Sequence, residues 1–168
     1  REVNMPTAQI ITLVILIFLS ALFSGIETAL MSLSNIKVNA LLKQGKKGAQ
    51  TLHRIKQKPH KLIITILIGN NLVNIGAASL ATVIFTEMFG SSGVGIATGV
   101  MTFLILVFGE ITPKTFATQN AERVSLAVAR PIELLSIILS PIVKIFEVIS
   151  HVMSKLLGSK EEEELSEE

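Results

Sequence analysis

The chain has 168 residues, 49% hydrophobic and 17% charged, with a formal charge of +2 and a mean hydropathy of +0.61. That balance excludes an ordinary soluble domain. Cysteine is absent, which excludes a disulfide framework and any thiolate metal site.

The first predicted element is a membrane span over about residues 7–30. The uncharged window from Val3 to Ile26 is longer than the ~20 apolar residues a helix needs to cross the hydrocarbon core. No basic stretch precedes it and its apolar run exceeds a signal-peptide core, so it reads as a span and not a leader. Next comes a basic segment, 34–58, with Ser34 and Asn35 as helix N-caps and Pro59 as its stop. Ile36, Leu41, Leu42, Leu52 and Ile55 are interleaved there with Lys37, Lys43, Lys46, Lys47, Arg54, Lys56 and Lys58. This predicts a helix or helix pair lying on an anionic inner leaflet. Nucleic acid is the usual rival partner for a basic patch, and the flanking spans and the lack of any aromatic residue argue against it.

Two further uncharged windows follow, Leu62 to Thr86 and Met88 to Gly109, predicting spans over about 62–86 and 93–112. A fourth, Leu134 to Val143, is too short to cross and contains Pro141, so three crossings are expected within residues 1–130. After Pro131 the pattern becomes amphipathic through residue 158, with Ile142, Ile145, Ile149, Val152 and Leu156 on one face. The run "KEEEELSEE" begins an acidic helical bundle or linker from residue 159. The chain opens on Arg and stops within that run, as a segment of a longer protein would.

Orientation follows from charge. Between Thr28 and Lys61 stand eight Lys or Arg and no acid, whereas the connection around Glu87 to Gly95 has no Lys or Arg. Cationic loops remain cytoplasmic, so the N-terminus is expected outside and the C-terminus inside a plasma membrane, of prokaryotic type.

Each predicted span carries one polar insertion beside glycine: "SALFSGIET", "IGNNLVNIG" and "FGEITPK". With a rise of ~1.5 Å per residue, all three fall between the midplane and the inner face. Ser20 and Ser24 share a face of the first helix, as Asn70 and Asn74 do on the second. Glu110 adds a carboxylate. Pro113 lacks the N–H that would bond the Gly109 carbonyl, so a helix break is expected there, and Gly25 offers a second loosened backbone. A buried carboxylate is expensive in a bilayer and marks ion or proton paths. An all-oxygen set with one carboxylate suits Mg²⁺, Ca²⁺ or Na⁺, and His53, His60 and His151 all lie outside the spans. The motif "FSG" suggests a serine nucleophile, but no His or Lys lies within a span to serve as its base, so no enzyme is expected. Interhelical hydrogen-bond glue is the bland alternative for each Ser and Asn.

"LFSGIETALMSLS", "IGNNLVNIGAAS" and "FGEITPKTFATQNAERV", in that order and spacing, resemble the membrane domain of the cyclin M (CNNM)/CorC family of magnesium transporters. The resemblance runs from about Ile10 to the C-terminus. It implies an all-α membrane domain that forms a homodimer, with three transmembrane helices per protomer and juxtamembrane amphipathic helices. It also implies a cytoplasmic continuation into CBS domains that bind ATP. The implied ion site is Ser24, Asn70, Asn74 and Glu110 with nearby backbone carbonyls, among them Gly109. The implied activity is Mg²⁺ export with Na⁺ as coupling ion. Because the polar clusters lie on the inner side of the midplane, the site is expected to open inward in its resting form. A membrane-anchored dimeric Mg²⁺ sensor or regulator is the alternative. The "IET" after Ser24–Gly25 departs from some relatives and leaves Glu27 without an assigned role.

Overall fold

The computed structural model describes residues 4–157, with side chains from Thr7 onward; the acidic tail lies outside the described residues. All described elements are helices: α1 (Asn4–Ser32), α2 (Asn35–Lys43), α3 (Ala49–Lys56), α4 (Pro59–Phe89), a 3₁₀ turn (Gly90–Ser92), α5 (Gly93–Leu104), a π segment (Ile105–Ile111), α6 (Thr112–Gln119), α7 (Ala121–Ile138) and α8 (Ser140–Leu156).

Two helical runs are long and apolar enough to cross a membrane, Thr7–Ser32 and Pro59–Gln119. The second is 61 residues long and doubles back at Gly90–Ser92. Only 22% and 17% of their apolar windows are buried, the reverse of the core helix of a soluble protein. Ile11, Val14, Ile15, Phe18 and Leu22 form an exposed apolar stripe along α1, and Leu72 and Ile75 extend such surface on α4. Water would not tolerate this much exposed hydrocarbon on a monomer. Among the described residues the protein is all-helical, with the exposed apolar surface of a membrane protein.

Apolar packing divides into two clusters. In the smaller, Ala77 and Ala81 of α4 meet Ala97 and Met101 of α5, with Leu13, Leu16 and Ile17 of α1 against them. Alanine at the contact lets α4 and α5 approach closely, as helices must where lipid supplies no hydrophobic drive. Gly93 touches the backbone of Phe85, closing the hairpin. The larger cluster gathers the C-terminal end of α1 (Ile26, Leu30, Leu33), α2 (Val38, Leu41), α3 (Ala49, Leu52, Ile55), the start of α4 (Leu62, Ile66) and α7 (Ala129, Ile132).

The basic segment 34–58 is a helix pair. Ser34 caps α2, its hydroxyl accepting from the Lys37 N–H at 3.2 Å. Between α2 and α3 the chain reverses through Gly45 (φ 65°) and Gly48 (φ 86°). Most apolar residues of the pair are used on the larger cluster, with Val38, Leu41 and Leu52 buried in protein, while Ile36 stays exposed. Three of the cations are held within the chain. Lys37 pairs with Glu122 at 3.1 Å. Arg54 grips Glu133 of α7 in a two-point contact, Nε to Oε1 and Nη2 to Oε2, the latter at 3.0 Å. Hydrogen bonding to Arg54 keeps the Glu133 carboxyl below the usual carboxylate range. Lys56 donates to the carbonyls of Leu30 (2.6 Å) and Leu33, capping the C-terminal end of α1, and burial lowers its pKa.

The change of pattern read at Pro131 is not an element boundary. α7 continues through Pro131 to Ile138, and the chain turns at Leu139 into α8. Buried Ala129 and Ile132 hold both sides of the proline on the core, outweighing one lost backbone bond.

Gly48 carries two constraints that Gly45 separates. A Cβ at Gly48 would lie 2.5 Å from the Leu126 carbonyl oxygen, whereas nothing lies within 4 Å of the same atom at Gly45. Gly45→Ala therefore meets only left-handed strain, about 1–2 kcal/mol. Gly48→Ala adds a backbone clash with α7 and is expected to lower the thermal midpoint clearly more. Paired melting curves in detergent check this ordering.

Candidate cation site

The π segment positions the carboxylate. Pro113 has no N–H, so the α-helical bond to Gly109 cannot form, and the helix widens before it. Thr112 N–H accordingly bonds the Val107 carbonyl, five residues back. Pro113 then sits in the first turn of α6, where a missing donor is tolerated. The helix break expected at Pro113 is therefore a change of register: the chain stays helical, because a π turn absorbs what the proline removes. Glu110 stands inside this turn.

The polar residues form a layer between the two apolar clusters. On α1, Ser20 and Ser24 lie after Leu13–Ile17 and before Ile26–Leu33; on α4, Asn70 and Asn74 lie between Ile66 and Ala77. Ser20 and Ser24 are fully buried. Ser24 Oγ donates to Glu110 Oε2 at 3.2 Å, joining α1 to the π segment. A Cβ at Gly109 would fall 2.7 Å from Ser20 Oγ, so glycine is what lets the π backbone rest on that hydroxyl. Gly25 packs against Pro113, with 3.6 Å from its would-be Cβ to the Pro113 carbonyl oxygen.

α4 joins at the same level. Gly69 packs on the ring of Phe23, and Gly76 approaches Leu16. Asn70 and Asn74, between those two contacts, therefore stand beside the Ser20–Ser24 stretch. Asn74 Nδ2 donates to Asn70 Oδ1 at 3.4 Å, so the two share a face. Asn71 is exposed and donates to the Leu67 carbonyl of its own helix at 2.9 Å.

Two oxygens of this layer, Ser20 Oγ and Asn74 Oδ1, are buried without a hydrogen-bond partner. Leaving such a group unsatisfied costs about 1–3 kcal/mol. Their chemistry and that of their neighbours is uniform: hydroxyl, amide and backbone carbonyl oxygen plus one carboxylate. Among the described residues no cluster of three or more His, Cys, Asp or Glu exists. The layer thus suits a hard cation that accepts neutral oxygens, and does not suit Zn²⁺ or Cu²⁺.

The sequence reading did not anticipate Lys114 as a member of this layer. Its Nζ lies 3.0 Å from Glu110 Oε2, one helical turn away. The signal was available, because Glu followed four residues later by Lys is the favourable helix pairing. Exposure rises along this line, from none at Ser24 to 25% for the Glu110 side chain and 43% for Lys114. The exposed end of this line is Lys114, on α6.

This chain matches the cyclin M transmembrane N-terminal domain over residues 10–168. It is 43% identical to a UPF0053 protein of Haemophilus influenzae over 150 residues, 89% of this chain and 36% of that protein. It is 39% identical to the UPF0053 inner membrane protein YfjD of Escherichia coli over 142 residues, 84% of this chain and 33% of that protein. A chloroplastic DUF21 domain-containing protein of Arabidopsis thaliana is 40% identical over 152 residues, 90% of this chain and 23% of that protein. The chain spans about a quarter to a third of the length of these relatives. It belongs to the cyclin M transmembrane domain family.

Proposed function

We propose that this domain binds Mg²⁺ as a transported substrate and carries it outward across the membrane. Ser20, Ser24, Asn70, Asn74, the Glu110 carboxylate and the Gly109 carbonyl form its oxygen shell. The observation that carries this reading is the pairing of a carboxylate with two buried, unpartnered oxygens in one layer. A single full charge among neutral oxygens binds a divalent ion weakly enough to release it, which transport requires. The exposure gradient toward Lys114 supports access from the α6 side. With three crossings that side is cytoplasmic, because the lysine-rich α2–α3 pair stands at the same end. Na⁺ as coupling ion and a homodimer complete the reading, and both rest on the family resemblance.

Titration of Mg²⁺ into the purified domain tests the shell. Glu110→Gln keeps size and one oxygen but loses the charge, and should abolish binding without changing the elution volume of the folded protein. Asn70→Ala and Asn74→Ala should each weaken binding more than Asn71→Ala, whose side chain is engaged on its own helix. Full affinity in Glu110→Gln would remove the central ligand. Mg²⁺ flux into or out of liposomes containing only this domain then separates transport from sensing.

Topology has its own check. A cysteine in place of Ser91, in the turn between α4 and α5, should react with an impermeant thiol reagent from outside the cell. One in place of Gln44, between α2 and α3, should react only after the membrane is opened.

A further inference from the structure

Glu110 Oε2 is engaged twice, by Ser24 Oγ at 3.2 Å and by Lys114 Nζ at 3.0 Å. If Glu110 ligates a divalent cation, an ammonium on the same oxygen is a competitor. Two cations cannot share one carboxylate oxygen in a low-dielectric layer without strong repulsion. The ammonium therefore needs somewhere to go, and removing it to hydrocarbon is not an option.

Glu27 supplies the alternative. It follows Ser24 by three residues on α1, so the two lie on neighbouring positions of one helix face. Gly25 packs on Pro113, which brings this part of α1, Glu27 included, against the first turn of α6. Lys114 is also the most exposed member of the group, on a long flexible stem that can swing without moving a helix.

We propose that Lys114 is an exchangeable counter-ion for the transport site: it neutralises Glu110 when no metal is bound and passes to Glu27 when a divalent cation takes the carboxylate. The inference rests on the reading of Glu110 as a cation ligand and deepens it. The layer then never exposes an unpaired carboxylate. Release of the metal is assisted, because the returning ammonium competes for the same oxygen. Lys114 is a positioning residue in this scheme and Glu27 its second acceptor; neither touches the metal.

Calorimetric Mg²⁺ titration of the purified domain, as a double-mutant cycle, tests this. Lys114→Gln removes the competitor and should tighten Mg²⁺ binding about fivefold, the range of a partly exposed ion pair. Lys114→Arg keeps the charge and should stay near wild type. Glu27→Gln deprives the ammonium of its second acceptor and should weaken binding by a similar factor, but should have no effect in the Lys114→Gln background. Unchanged or weaker binding in Lys114→Gln would overturn the inference, as would an equal effect of Glu27→Gln in both backgrounds. If Lys114→Gln does not fold, Lys114→Met takes its place in the cycle with the same outcomes, because it too removes the ammonium. Failure of the cation-site reading looks different, because binding would then survive Glu110→Gln whatever happens at Lys114.

Discussion

A carboxylate set among apolar helices is stable only while its charge is answered, and the arrangement of this protein follows from how Glu110 is answered. Its Oε2 takes a hydrogen bond from Ser24 on α1 and an ion pair from Lys114 on α6. The first bond ties the N-terminal helix to the π segment. The second uses the helical turn that the π register creates. Gly109 and Gly25 are small because the backbones around this carboxylate touch, against Ser20 and Pro113 respectively. A polar layer bounded above and below by packed hydrocarbon is a low-dielectric compartment, in which each of these interactions is stronger than it would be in water.

The larger apolar cluster gives that layer a rigid foundation. α2 and α3 carry little hydrophobic surface individually, and two short helices of nine and eight residues would not persist alone. They are held by burying Val38, Leu41, Leu52 and Ile55 and by ion pairs to α7. Lys56 closes the same unit onto the end of α1 by occupying carbonyls that the helix terminus leaves free. The C-terminal end of α1, three turns beyond Ser20, is thereby fixed. The smaller, alanine-lined cluster on the other side has no such bolting and depends on close helix approach alone.

Two unpartnered oxygens stand in the same layer as an ion-paired carboxylate. Ser20 Oγ and Asn74 Oδ1 keep an unmet demand for a positive charge, while Lys114 meets the demand of Glu110. In the exchange proposed for Lys114, a divalent ion brings one more positive charge than the ammonium it replaces, and the unpartnered Ser20 and Asn74 oxygens face that excess.

The sequence by itself determined the class and the cast. Uncharged windows long enough to cross hydrocarbon dictate membrane helices, and three glycine-flanked polar insertions at matching depth dictate a common layer. Ser24 and Glu110 do meet, and Asn70 and Asn74 do share a face, because helical periodicity and rise are properties of the backbone and not of its partners. Ser34 as a cap was legible for the same local reason. The tertiary structure decided what depends on competition between distant groups. Pro113 could have broken its helix; the chain instead stays helical through a π turn, and Pro113 packs on Gly25 of α1. The cations of 34–58 look free in sequence, yet Lys37, Arg54 and Lys56 are each claimed by an acid or a carbonyl brought by another helix. Lys114 is only the last residue of the FGEITPK insertion in sequence; which carboxylate it serves is settled by a 3.0 Å contact that the fold creates.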